Sequence, residues 1–507
     1  MRDLRRDLVM HRESAWRGLL VAILLLAFAV RIGGLTTQSL WRDEVDALRF
    51  SQAPLTTMIA NFTRPGWNGP LFYVFLRAWV VLAGQSAFAL RYLSLCFGIL
   101  AVVATYRIAR SWFAAPVPGL AALLMATSPY MVWYGQEVKM YALLSVVAIA
   151  TLYAYDRALK DGYWANWVLV LVLTWVAIGV HIMGGLLIPV MVVLFFVWWP
   201  RARAQWRQAL LALAGLLMPA LVALPWVWPL LVRGGDIGHT FVSLLGMVRV
   251  MAHAFSRGIL PTGQLWPMGL SLFGVLAGTV LWAGPGASTR RRAARSRSPA
   301  PDDGRQARVG DVVALWAWIL VPILGLFVIS LRVPMFVDRY LIWTGPAFYL
   351  LLARGLGQIQ RRSVIVFALC LVLLLWFNGQ GIVQQASTPI KSDFRSAAAY
   401  VQERRQPDEL VLFHISYVRY TFEYYYGDAS PWAEGIPTNA STTEQAVDAL
   451  MRERTAGYDD VWLVLSEPEM WDPRGMTVAW LEAHATVEER ADFARVTVIH
   501  YMLRHVS

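Results

Sequence analysis

Cysteine is nearly absent from this chain of 507 residues. The two present, Cys96 and Cys370, fall inside apolar runs, which argues against a disulfide framework or a cysteine-based metal site and leaves both as core residues. Charge is also scarce: 15% of the residues are charged and 57% are hydrophobic, a balance that belongs in a bilayer rather than in a soluble domain. The formal net charge of +12 does not point to nucleic acid, because the basic residues sit in short segments between long apolar runs, where they report membrane orientation. Those runs are nearly free of mid-span ionisable groups, which an ion-coupled transporter would be expected to carry. The C-terminal region has no glycine-rich phosphate loop, so nucleotide binding there is unsupported.

What the chain has in quantity is apolar length. Runs able to cross a hydrocarbon core of about 30 Å lie near 17–35, 88–108, 116–134, 140–156, 164–181, 183–199, 208–230, 265–283, 312–330, 340–354 and 363–378. The expected fold is therefore an α-helical polytopic membrane protein of about eleven transmembrane helices. A further candidate, 69–84, is short and carries Arg77 at its middle, which is costly at the bilayer centre; it reads as a helix lying at the interface. The basic N-terminus leads into an apolar run with no clear small-x-small cleavage site, so it reads as an uncleaved first span.

The positive-inside rule then fixes the expected orientation. The N-terminus, Arg107 with Arg110, Arg157 with Lys160, Arg201 with Arg203 and Arg207, the run 290–308, and Arg354 with Arg361 and Arg362 all fall on one side, the cytoplasmic one. Segments 36–87, 135–139, the turn around 182, 231–264, 331–339 and everything after 379 face outward. Residues 288–310, rich in Arg, Ser, Pro and Ala, read as a disordered basic cytoplasmic loop. Residues 1–378 form the expected membrane domain. Residues 379–507 form a small extracytoplasmic α/β domain, with helices expected at 392–405, 442–455 and 475–484 and strands at 409–414, 459–465 and 493–503.

The polar residues that need explaining gather at the outer ends of spans. Asp43 and Glu44, in Ser39-Leu40-Trp41-Arg42-Asp43-Glu44, are adjacent carboxylates beside a tryptophan; neighbouring side chains diverge in any regular backbone, so one can accept a proton from an acceptor hydroxyl as general base while the other holds a cation or substrate hydroxyls. The same stretch also reads as a solvated loop start with an interfacial tryptophan anchor. Ser128 to Tyr141 packs Tyr130, Trp133, Tyr134, Gln136, Glu137 and Lys139 into a short turn, suited to sugar rings and hydroxyls, although by itself the stretch reads more simply as an interface belt with a Glu137–Lys139 pair. His181 ends its span, where a histidine is more often structural than a ligand. Arg339, followed by Tyr340, places a permanent cation at the membrane boundary, where its planar fork matches a lipid phosphate; a capping pair with Asp338 is the competing account.

These residues resemble the GT-C glycosyltransferases of the glycosyltransferase family 39 type, which include protein O-mannosyltransferases, lipid A aminoarabinose transferases and rhizobial lipopolysaccharide galacturonosyltransferases. The likeness runs through Leu40-Trp41-Arg42-Asp43-Glu44, Asn68-Gly69-Pro70-Leu71-Phe72-Tyr73, Phe88-Ala89-Leu90-Arg91, Ser128-Pro129 to Gln136-Glu137, Met140-Tyr141-Ala142-Leu143, His181 and Arg339-Tyr340-Leu341, and covers the membrane region to about 355. It implies Asp43 as catalytic base, Glu44 and Glu137 lining the donor or metal site, and Arg339 near the lipid phosphate. Two departures stand out: Lys139 where members often carry arginine, and Asn68-Gly69 before Pro70 where His-Pro is common.

The expected function is an inverting glycosyltransferase that moves one sugar from a polyprenyl-phosphate donor to a glycan, lipid or protein outside the cytoplasm, in a bacterial inner membrane. Glu137, Lys139, His181, Arg339 and Tyr340 are its expected donor and phosphate residues. No cofactor is assigned; a divalent metal ion, if used, would draw on Asp43, Glu44, Glu137 and His181. Outside the cytoplasm there is no nucleotide-sugar pool, so a lipid-carried donor explains why the enzyme is embedded in the membrane. The alternative is a lipid-sugar flippase without transferase chemistry.

Overall fold

The computed structural model describes residues 2–62, 69–218, 239–260, 265–280, 309–435, 438 and 441–504. Asn68, residues 219–230 of one expected span and nearly all of the basic loop 288–310 lie outside the described residues. The chain divides into two compact units. The first comprises residues 1–33, 53–82 and 90–385, and the second 34–52, 83–89 and 386–507. Residues 34–52 and 83–89, assigned from sequence to the membrane region, thus pack with the C-terminal segment.

The described part of the first unit is helical, one of the ways in which a chain deprived of water satisfies its own backbone groups. Four described helices are long and apolar enough to cross a membrane: Ala87–Trp112, Tyr141–Asp161, Val309–Ser330 and Val364–Ser387. A fifth candidate is the pair Ile182–Val197 and Trp199–Met218, bent by 90° at its break. Shorter apolar helices span Leu71–Ala83, Val117–Thr127, Trp164–Val180 and Trp266–Thr279. Apolar side chains such as Leu25, Val81, Val328, Ile365 and Trp376 are left uncovered, as lipid-facing residues are. The helix Leu244–Arg257 was not foreseen; with Arg249 and His253 on it, it is amphipathic rather than a continuous apolar run.

Backbone contact ties this unit together. A methyl group added to Gly355 would lie 1.9 Å from the Gly274 carbonyl oxygen, and one on Gly278 would lie 2.0 Å from that of Leu351, so helices Trp266–Thr279 and Gly345–Gln360 touch backbone to backbone as small-residue interfaces permit. At the end expected to be cytoplasmic, buried Asp156 accepts from Lys160 Nζ at 2.5 Å, and Arg201 lies 3.3 Å from Asp156 and 3.6 Å from Asp311, linking three helix ends. Nearby, Tyr155, Trp167, Met191, Phe195, Trp206 and Leu213 help to line an apolar cavity of about 330 Å³.

The second unit is built on a five-stranded sheet in the order β2-β1-β3-β5-β4, with β1 Leu410–Phe413, β2 Trp432–Glu434, β3 Asp460–Leu465, β4 Ala485–Phe493 and β5 Val496–Leu503. Strand β1 runs parallel to β2 and β3, while β5 is antiparallel to β3 and β4. Each face carries a core. Val411, Phe413, Trp462, Val464 and Val498 pack with Phe394, Val401, Val418 and Phe422 on one side; Leu412, Val461, Leu463, Ile499 and Tyr501 pack with Val447, Met451, Trp480 and Leu481 on the other. Helices Phe394–Gln402, Glu444–Thr455 and Met476–His484 fall within or beside the segments expected to be helical, whereas helix Ser416–Tyr426 and strands β2 and β4 were not foreseen.

Candidate active site

The seven sequence-derived site residues fall into two groups, one in each unit. In the first unit the group forms around a helix break. The apolar run 116–134 is interrupted at Ser128, whose extended backbone ends helix Val117–Thr127 and whose hydroxyl caps helix Pro129–Gly135 by accepting from the Met131 N–H. Proline at the first helical position suits such a restart. Ser128 Oγ also lies 2.5 Å from Tyr349 Oη, which donates to the Phe255 carbonyl, and Gln385 donates to the Pro129 carbonyl. Fully buried Arg31 donates to the Met125 and Ala126 carbonyls left open at the break. Gln136 closes the turn by donating to the carbonyls of Arg31 and Gly33.

This framework sets Glu137 and Lys139, both buried, at the head of helix Tyr141–Asp161. Tyr130, Tyr134 and Tyr141 follow one another edge to face, with ring centroids 4.9 and 5.3 Å apart. Tyr141 is the junction: Arg339 Nε donates to its hydroxyl at 2.9 Å, and the His181 ring lies 6.3 Å from its own. The Tyr340 ring packs 4.9 Å from that of His181. The charges of Arg339 and Lys139 both act on His181, and those of Asp338, Arg339 and Glu137 on Tyr134. His181 caps the short 3-10 helix Ile182–Leu186, its Nδ1 accepting from the Met183 N–H, which leaves Nε2 as the protonated nitrogen of the neutral ring. Gly69 is needed beside it: a methyl group there would lie 2.0 Å from the Gly179 carbonyl oxygen.

Glu137, Lys139, His181, Arg339 and Tyr340 are therefore brought together. The arrangement offers two cations and several ring faces around buried polar groups, which suits an anionic ligand carrying a sugar. The sequence suggested that the aromatic residues of this turn suit sugar rings as a group; the place of Tyr141 as the junction with Arg339 was not foreseen. The apolar cavity lined by Trp167 and Phe195 contains none of the seven residues.

In the second unit Asp43 and Glu44 occupy the first turn of helix Arg42–Gln52, where acidic groups complement the helix dipole. The structure separates the two acids. Glu44 is fully buried and accepts from Lys391 Nζ at 2.9 Å, whereas the Asp43 side chain is 21% exposed and sits 3.6 Å from Arg42 Nε. Arg42 donates to Glu467 Oε2 at 3.2 Å and lies over the Tyr417 ring, and Glu467 holds a left-handed backbone with φ of 52°, a costly conformation for a residue with a side chain. Backbone atoms of Ile390 and Lys391 donate to Gln38, and Leu40 donates to the Tyr425 hydroxyl. No short-range sequence signal could have indicated Lys391, Glu467 or Tyr425.

Four described helices are long and apolar enough to cross a membrane, which makes this a multi-pass membrane protein, and its fold is similar to those of two solved proteins. Residues 65–228 match a family model described as dolichyl-phosphate-mannose-protein mannosyltransferase. The crystal structure of ArnT from Cupriavidus metallidurans bound to undecaprenyl phosphate aligns over 96% of this chain and 98% of its own, with a TM-score of 0.55 at 15% identity. The Archaeoglobus fulgidus oligosaccharyltransferase in complex with Zn and sulfate aligns over 92% of this chain and 70% of its own, with a TM-score of 0.53 at 14% identity. At such identities the likeness is one of fold. A comparison with curated proteins gives no match.

Proposed function

We propose that the protein is an inverting glycosyltransferase that transfers a single sugar from a polyprenyl-phosphate donor to an acceptor outside the cytoplasm. The observation that carries this reading is the buried group around Tyr141, where Arg339 is fixed by a hydrogen bond beside His181, Tyr340, Glu137 and Lys139. Arg339 and Lys139 would offset the negative charge that grows on the leaving phosphate, Glu137 and the tyrosines would hold the sugar, and His181 would donate from Nε2. Asp43 would take the proton of the acceptor hydroxyl as it attacks. The carbon–oxygen bond to the phosphate breaks as the new glycosidic bond forms on the opposite face, so the anomeric configuration inverts. The burial of Glu44 against Lys391 favours Asp43 as the reacting acid and gives Glu44 the task of holding its helix. The reading is supported by the binding of undecaprenyl phosphate to the ArnT of similar fold, and places the protein in a bacterial inner membrane, N-terminus inside and the second unit outside.

The test is transfer of radiolabelled sugar from a panel of polyprenyl-phosphate sugars to cell-envelope fractions, by wild type and by Asp43→Asn matched for folding. Transfer that collapses by roughly two orders of magnitude or more in the variant, as loss of a general base requires, supports the proposal. Lipid binding by both proteins with transfer by neither would overturn it and favour lipid flipping.

A further inference from the structure

We propose that Glu409, Asp460 and His500, in the sheet of the second unit, form a binding site for one divalent transition-metal ion, Zn²⁺ being the ion their donors fit best. Side chains alternate between faces along a strand. On the face formed by Phe413 and Val411, by Val464 and Trp462, and by Val496 and Val498, the next positions outward along the three adjacent chains are Glu409, Asp460 and His500. Register agrees: Trp462 pairs with His500 across β3 and β5, and Leu410 with Val461 across β1 and β3. Three apolar ladders of one core therefore end together in two carboxylates and an imidazole.

Their geometry suits a common ligand set. One donor atom from each lies within 4.8 Å of the other two. His500 Nε2 and Asp460 Oδ1 are 3.0 Å apart, close to the ~3.3 Å that separates two donors bound to one tetrahedral ion at about 2.0–2.1 Å. Nε2 is buried and, although this close to Asp460, is not placed to hydrogen-bond to it. The surroundings fix each ligand. Trp462 stacks on the His500 ring at 4.3 Å with the planes 1° apart, and Glu409 Oε2 accepts from the Trp462 indole at 2.7 Å and from the Gln406 N–H at 2.9 Å. Ligating carboxylates are commonly oriented by such bonds.

One nitrogen and two carboxylate oxygens suit Zn²⁺, with water completing the shell, better than Ca²⁺ or Mg²⁺, which favour oxygen alone. The ion would clamp β1 to β3 and β3 to β5, joining the parallel and antiparallel parts of the sheet.

The test uses the full chain in detergent, stripped with EDTA, incubated with Zn²⁺ and desalted, with zinc counted by mass spectrometry in wild type, Glu409→Gln, Asp460→Asn and His500→Gln. Wild type is expected to keep one equivalent more than each of the three, to melt at a higher temperature with zinc than without, and to give a Co²⁺ visible absorption band that His500→Gln lacks. Asp43→Asn is expected to keep the equivalent, which separates this ion from any bound near that acid. Equal zinc content in wild type and the folded variants would overturn the proposal and leave an Asp460–His500 ion pair only. Should every variant misfold, wild type decides alone: zinc that neither stays bound nor raises the melting temperature overturns it.

Discussion

Lys391 and Glu44 show how much one buried pair can demand. Removing a single partner leaves an uncompensated charge in the interior, so Lys391→Met should cost about 3–5 kcal/mol, visible as a large fall in melting temperature, while Lys391→Met combined with Glu44→Gln should recover much of it. If the single variant melts like wild type, the pair does not organise the helix that carries Asp43. Tyr141 offers a milder test. Tyr141→Phe removes the Arg339 hydrogen bond, worth about 1 kcal/mol, and should raise the KM for the proposed lipid donor several-fold while kcat changes less; an unaltered KM would overturn the proposed role of Arg339 at the phosphate. The residues that announced themselves in the sequence were those in dense local motifs, such as the Asp43-Glu44 doublet and the Ser128–Tyr141 turn. Lys391 stands 347 positions from Glu44, and no periodicity or spacing joins them.

Helices in this protein meet by subtraction of side chains as much as by their addition. The contact between Trp266–Thr279 and Gly345–Gln360 depends on glycines whose missing methyl groups admit another backbone. Gly278→Leu should therefore drive the two apart and lower detergent stability sharply, whereas Gly269→Leu on the same helix, with nothing within 4 Å, should be nearly neutral; equal melting curves would refute the close packing. Apolar runs located most described membrane helices because length and hydropathy govern insertion. They could not show that 116–134 breaks at Ser128, since apolarity continues across the break and only Pro129 hints at it. Helix Leu244–Arg257 escaped because it is amphipathic, and β2 because three residues carry no pattern.

For the molecule as a whole, the second unit carries its own response to acid. Burial holds the His414 imidazole below its ordinary value, against the pull of Asp472. Burial works the other way on Asp472, but hydrogen bonds from Thr438, Thr477 and Met476 and the neighbouring His414 hold its carboxyl below the usual range. A histidine kept neutral in the folded state favours unfolding once the unfolded chain can take up a proton, so its contribution is intact above about pH 6.5 and shrinks below it. The Asp472 contribution is present above about pH 4 and disappears only as pH falls through its lower folded value. Unfolding of this unit, followed by amide exchange, should become easier from pH 7 to pH 5, and His414→Gln should flatten that slope. An unchanged slope would remove His414 as its cause.

The division into units was legible only in part. A change of composition after Gly379 announced the sheet-bearing segment, but nothing local to residues 34–52 showed that they pack with it, because the partners Lys391, Arg395 and Tyr425 are supplied from the far end of the chain. That arrangement bears on biosynthesis. The ribosome makes Asp43 and Glu44 long before Lys391, and Glu44 has no Lys391 to neutralise it until the 347th residue after it has been translated. A nascent or prematurely terminated product carries the acids without the partners that seat them, so a chain cut short before Lys391 should insert into the membrane and remain inactive.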